Sequence, residues 1–361
     1  VDLDAMIDDL RTLVEVESPS RDHEALTASA KTLAAVIEHR LGGRAVLVDS
    51  AAGPHVHWSG GGEPRVLILG HHDTVFPLGT LRRRPFRVSD GRATGPGVFD
   101  MLGGLVQAVH GVAALPDRSG VEILVSADEE VGSGSSRALI EQRALACGAV
   151  LVLEGAADGG GLKTGRKGCG TFQVTVTGRA AHAGLEPESG VNALTEAAHQ
   201  VLAIAAIGRP DLGTTVTPTV ASAGTTDNVV PAEARIVVDV RVETPAEADR
   251  VTAAFAALTP RLPGATVTVT GGVDRPPMPE SASAELFALA QQLMPGVEGR
   301  SVGGGSDGNF TAALGVPTLD GLGAVGGGAH ADHEYLLIDA MPQRANLVTG
   351  LIAAIRTSRP R

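Results

Sequence analysis

Near residue 168 the hydrophobic pattern of this chain changes period, and that change limits the fold more than any other feature. Before it, short apolar runs alternate with helical stretches. Helices are predicted over 4–16 and 22–40, where Leu26, Ala30, Leu33, Val36 and Ile37 recur at helical spacing. Strands are predicted at 45–49 and 65–70, then a helix at 103–114, a strand at 121–126, a helix at 135–144 and a strand at 149–153. Apolar strands separated by helices specify a sheet covered on both faces, an α/β arrangement. From 168 onward the strands alternate residue by residue instead, as in Phe172, Val174 and Val176 among polar neighbours. The order over 168–277 is β-α-β-β-α-β, that of a ferredoxin-like α+β sandwich. Helix and strand signals resume at 283–294, 309–314 and 340–356. The chain therefore reads as an α/β domain, 1–167 with 278–361, interrupted by an inserted α+β domain, 168–277.

Composition narrows the function. Hydrophobic residues are 43% and charged residues 19%, enough for a core and unlike a disordered chain. The net charge of −12 lacks the basic footprint of a nucleic-acid binder. No apolar run approaches the ~18–20 residues of a membrane span. The start, Val1-Asp2-Leu3-Asp4, has no signal-peptide pattern, which points to a cytoplasmic chain and leaves open a secretory signal removed upstream. Cys147 and Cys169 are too few for a disulfide framework and read as idle thiols. Glycine triplets at 60–62, 159–161, 303–305 and 326–328 read as tight loops.

The chemistry gathers where strands end. His71 and Asp73 follow the strand at 65–70, Asp128, Glu129 and Glu130 follow that at 121–126, and Glu154 follows that at 149–153. Asp100 lies in a Gly-rich loop that opens a helix, and His330, Asp332, His333 and Glu334 cluster near the C-terminus. Ligand sites in open α/β sheets collect outside the carboxyl ends of strands. Carboxylates packed there repel one another unless a cation neutralises them. A mixed His and carboxylate set suits zinc, and more than four candidate ligands suggests two ions bridged by a carboxylate and a water.

In order and spacing, the motifs HHD at 71–73, GPGVFD at 95–100, DEE at 128–130, LEG at 153–155, AAHAG at 180–184, DNVVP at 227–231 and HADHEY at 330–335 resemble one known family. It is the dinuclear zinc metallopeptidase family of glutamate carboxypeptidases, aminoacylases, acetylornithine deacetylase and succinyl-diaminopimelate desuccinylase. The stretch SDGNFTAALGVPTLDGLG and the pair HAG…GVNAL look most like the glutamate carboxypeptidase branch. The resemblance implies a zinc-exopeptidase-type mixed sheet and an inserted domain that dimerises and closes the site as a lid. It implies two Zn2+ per chain, with Co2+ or Mn2+ as substitutes. His71 and Glu154 would hold one ion, Glu130 and His330 the other, and Asp100 would bridge both. The family pattern selects His330 over His333. Asp73 would orient the His71 imidazole. Glu129 would be the general base for a bridging hydroxide. Alternation along an extended segment would point Glu129 and Glu130 to opposite sides. His182 and Asn228 match residues that reach the scissile carbonyl, His182 from the partner subunit. Arg275 matches the residue that clamps the substrate carboxylate.

The implied reaction is hydrolysis of a peptide or N-acyl amide beside a free carboxylate, on a small substrate, with glutamate released. Lys163, Arg166 and Lys167 form a basic run suited to an acidic side chain. An aminoacylase or deacetylase of other N-acyl amino acids is the alternative. Leu102 stands where the family often has Lys, which raises the possibility of an inactive metal-binding relative. Gly304 to Gly308 also fits the G-x-S-x-G pattern of a serine hydrolase with Ser306 as nucleophile.

Overall fold

The run Val66–His71 is buried on both faces and forms a central strand. The computed structural model describes residues 1–357; the last four residues of the domain expected to end at 361 lie outside them. The strand pairs in parallel with Val121–Ser126 on one side and Val150–Val152 on the other. Thr318–Leu319 extends the sheet in parallel, and His55–Ser59 and Val46–Val48 extend the other flank antiparallel. The result is a six-stranded mixed sheet. Its core takes in apolar residues of helices Leu3–Val14, His23–Leu41, Gly103–Ala113, Glu280–Leu293 and Met341–Thr357, while helix Arg137–Cys147 contributes to a second cluster. Val66 and Ile68 belong to the first cluster, Leu67 and Leu69 to the second. Alternate side chains of one strand thus fill cores on opposite faces, which is why its sequence is apolar throughout.

Contacts divide the chain into two compact units. One comprises Val1–Gly165, Met278–Val302 and Ser306 onward; the other comprises Arg166–Pro277 with Gly303–Gly305. The second unit is a four-stranded antiparallel sheet in the order Thr215–Ala223, Glu233–Val242, Gly168–Thr177, Thr266–Arg275. With helices Ala193–Ala205 and Pro245–Ala256 this is the ferredoxin-like arrangement. Phe172, Val174, Val176, Ile236, Val238 and Val240 fill its core with Phe255 of the second helix. Thr244 caps that helix through a bond from Glu247 N at 3.2 Å, and Pro245 occupies its first turn.

Three short strands matter for the site. Strands Arg87–Ser89 and Arg92–Thr94 form a small antiparallel ribbon, and Tyr335–Leu337 adds to it with Tyr335 opposite Thr94. Among the described residues, no helix is long and apolar enough to cross a membrane.

Candidate active site

Three neighbouring parallel strands deliver three groups of side chains to one edge of the sheet. His71 closes its own strand opposite Ser126. The chain leaving Ser126 turns through Asp128 into Glu129 and Glu130, and the chain leaving Val152 reaches Glu154 two residues later. Close packing holds that last segment. A Cβ on Gly104 or Gly323 would lie 2.1 Å from the carbonyl oxygen of Leu153, so the backbone beside Glu154 passes where only glycines fit.

Asp100 lies between two imidazoles. His71 Nε2 is 3.2 Å from Asp100 Oδ1, and His330 Nε2 is 3.3 Å from Asp100 Oδ2. His71 Nε2 is also 3.5 Å from Glu154 Oε1, and His330 Nε2 is 3.1 Å from Glu130 Oε2. Two sets of potential ligand atoms lie within 4.8 Å of one another: His71 with Asp100 and Glu130, and His71 with Glu129 and Glu154. Distance alone therefore admits Glu129 as a ligand as well as a base. His330 has a left-handed backbone, φ 63°, which is uncommon outside glycine.

Charge in this cluster is set by its own members. Burial opposes ionisation of His71, yet hydrogen bonds to Asp100, Asp73 and Glu154 raise its pKa well above the ordinary imidazole value. Hydrogen bonds to Asp100 and Glu130 raise His330 to about 10. Burial likewise opposes the Asp100 carboxylate, but the His330 and His71 bonds hold it far below its usual range. Burial pushes Glu130 up, against the pull of His330. The carboxylates demand positive charge at their centre. A His and carboxylate donor set with one shared Asp, an oxygen turned to each side, fits a pair of divalent ions.

The surroundings correct one expectation and add detail to two others. Glu129–Val131 is a single 3-10 turn, not an extended segment. Glu129 and Glu130 thus diverge through a rotation of ~120° per residue instead of strand alternation. Asp73 meets the His71 ring chiefly through its backbone: Nδ1 lies 2.9 Å from the Asp73 carbonyl and 3.5 Å from Oδ1. The Asp73 carboxylate instead accepts Glu129 N at 3.1 Å, Glu130 N at 3.3 Å and the Ser20 hydroxyl at 2.7 Å. The basic run is not open to solvent as a set. Arg166 is buried and donates to the carbonyls of Gly304 at 2.8 Å and Gly305 at 3.3 Å. Lys167 donates to the Gly213 carbonyl and sits 3.7 Å from Glu243. Lys163 is half-buried, and its backbone N bonds to the Asp320 carbonyl at 2.9 Å.

Leu102 is buried in the core, so the position that departs from the family pattern has a packing role. Ser306 is fully buried. Its hydroxyl donates to Asp320 Oδ2 at 2.6 Å and accepts from Gly308 N at 3.1 Å, which removes it as a solvent-facing nucleophile. His72 packs away from the cluster, 3.1 Å from Ser29 Oγ and 3.0 Å from the Pro54 carbonyl. Burial pushes its pKa down to about 4.

The remaining candidates belong to the second unit. His182 and Asn228 are exposed and lie on adjacent segments, joined by Ala183 N to Asn228 O at 2.9 Å and a bridge from His182 to Val229. Arg275 ends the last strand of that unit, buried, opposite Cys169. Sequence reasoning missed the work of Ser20 and of Glu334, whose partners are distant in the chain. Glu334 showed only as one acid in a His-rich cluster.

The chain is also similar to known proteins in sequence and in fold. The model of peptidase family M20/M25/M40 matches residues 67–354. The chain is 34% identical to carboxypeptidase G2 of Pseudomonas sp. (strain RS-16) over 372 residues, covering 96% of this chain and 88% of that protein. Aminopeptidase PepT from Bacillus cereus ATCC 10987 superposes with a TM-score of 0.79 at 22% identity, covering 99% of this chain and 100% of that one. The M20 family metallo-carboxypeptidase Sso-CP2 from Sulfolobus solfataricus gives 0.74 at 17%, covering 98% and 99%.

Proposed function

Because the chain belongs to peptidase family M20/M25/M40, we propose that it is a dinuclear zinc carboxypeptidase that hydrolyses a peptide or N-acyl amide beside a free carboxylate and releases C-terminal glutamate. The observation that carries the metal reading is Asp100, with one oxygen toward His71 and the other toward His330. His71 and Glu154 would hold one ion, Glu130 and His330 the other, and Asp100 would serve both. Divalent ions held there would supply Lewis acidity and make a water easier to deprotonate. Glu129 takes a proton from the attacking water and delivers it to the leaving nitrogen as the C–N bond breaks. Asp73 holds the turn that carries Glu129. His182, supplied by the partner subunit, and Asn228 donate to the scissile carbonyl oxygen, and Arg275 forks the substrate carboxylate.

The second unit serves as the dimerisation and lid domain in this reading. Its edge strand Thr215–Ala223 carries no charged residue and exposes Val220, and the neighbouring helix exposes Leu194 and Leu202. Uncharged open edges favour pairing with another chain.

Glutamate specificity rests on the branch resemblance and on the 34% identity to carboxypeptidase G2. One observation favours the second reading, an aminoacylase of other N-acyl amino acids: Arg166 and Lys167 are engaged with main-chain carbonyls. A single experiment separates the two. Metal content and kcat/KM are measured for N-acyl-glutamate and N-acyl-leucine, before and after chelation. Two metals per chain and chelator-sensitive preference for glutamate are expected. A preference for leucine moves the substrate to the second reading, and metal-free, inert protein leaves an inactive relative.

A further inference from the structure

The loops bearing Asp100 and His330 share a buried carboxylate that is no part of the metal cage. Glu334 is fully buried and has no ion-pair partner among the described residues. Its oxygens accept three main-chain N–H groups from one turn. Gly97 N donates to Oε2 at 2.9 Å, while Phe99 N and Asp100 N donate to Oε1 at 2.9 and 3.0 Å. Gly97 is left-handed, φ 74°, and Asp100 is extended at φ −120°, ψ 93°. Their N–H groups therefore converge on one point instead of running along a helix, and such a nest favours an anion.

Glu334 also belongs to the other loop. It closes the turn after His330, with Glu334 N bonded to Ala331 O at 3.1 Å and Ala331 N to Gly328 O at 2.9 Å. Its neighbour Tyr335 pairs with Thr94, just before the Asp100 loop begins. One side chain therefore ties the two halves of the His330–Asp100 contact across more than half the sequence.

The geometry points to Glu334 as the positioning residue of the shared ligand: it sets the Asp100 backbone so that Oδ1 faces His71 and Oδ2 faces His330. The role rests on the two-metal reading above. A merely structural carboxylate would affect folding and leave metal uptake alone, and the molecule contains a natural comparison. Glu196, in the second unit, is also fully buried and accepts main-chain N–H groups, from Arg261 at 3.0 Å and Leu262 at 2.7 Å, with no metal-ligand candidate among its partners.

The test is zinc titration of the full chain, with the visible spectrum of the cobalt-loaded protein and steady-state kinetics. Glu334→Gln keeps the shape but turns an N–H donor toward the converging amides. It is expected to take up zinc about 10- to 100-fold more weakly. The cobalt spectrum shifts and kcat falls with KM near wild type; the metal-free melting temperature also falls, as in Glu196→Gln, so zinc uptake and the cobalt spectrum are the readouts that separate the two sites. Glu334→Asp restores part of the zinc affinity. Glu196→Gln lowers the melting temperature and leaves zinc uptake unchanged. Wild-type zinc affinity and an unshifted cobalt spectrum in Glu334→Gln overturn the role. If that variant does not fold, the cobalt spectrum of Glu334→Asp decides: shifted supports the role, unchanged overturns it. A wild-type chain that takes up no zinc is a separate result, which removes the metal reading and this role with it.

Discussion

Glu129 and Glu130 are adjacent in sequence yet keep different company. Glu130 sits against His330, while Glu129 groups with His71 and Glu154. The carboxylate of Asp73 holds both by their amide N–H groups, so one buried acid sets the aim of base and ligand together. Glu129→Gln is expected to lower kcat by about 10²–10⁴ with two metals retained, whereas Glu130→Gln is expected to lose metal. Kinetics alongside elemental analysis checks both. A metal lost from Glu129→Gln would make Glu129 a ligand and leave the base to be sought elsewhere. At this scale the sequence was informative about which side chains meet, because strand ends and residue types mark them. What it concealed was main-chain work. Nothing in the letters around Glu334 reveals that its acceptors face N–H groups at Gly97, Phe99 and Asp100.

The central strand does not stop working at His71. The next residue, His72, is buried where the strand meets helix His23–Leu41 through Ser29. Its folded pKa is about 4 against an ordinary 6.5. Between these values the unfolded chain binds more protons than the folded one, so stability rises with pH across the window. It is fully present above about 6.5 and lost as pH falls through 4, a loss of about 3 kcal/mol. Thermal melts of the metal-free protein from pH 7 to 4 read this contribution as the difference between wild type and His72→Gln, because burial of Glu334, pushed up to about 7, works with the opposite sign over the same window. An unchanged slope in the variant would assign the acid sensitivity to other groups. Elements such as Val66–His71 and Val121–Ser126 were legible because both faces are buried and the apolar run has clear ends. The ribbon Arg87–Ser89 with Arg92–Thr94 was not, since its residues are few and mostly exposed. Strand Tyr335–Leu337 owes its existence to pairing with that ribbon, a long-range fact.

For the whole molecule, the antiparallel sheet of the second unit follows from strict alternation in its strands. Its role in assembly is open to direct measurement. Sedimentation should give twice the chain mass for the wild type and the chain mass for a Val220→Lys, Leu202→Glu double variant. A monomeric wild type would remove the proposed supply of His182 from the partner subunit. One further consequence comes from the pairing of Val150–Val152 with Thr318–Leu319, which brackets the whole second unit. On the ribosome, at about 5–20 residues per second, the later strand is synthesised on the order of 10 s after the earlier one. A nascent chain therefore carries an unfinished sheet edge through that interval, while the second unit, contiguous from Arg166 to Pro277 apart from three glycines, emerges complete. Its early folding draws the ends of the interruption together and shortens the loop that the final strand must close.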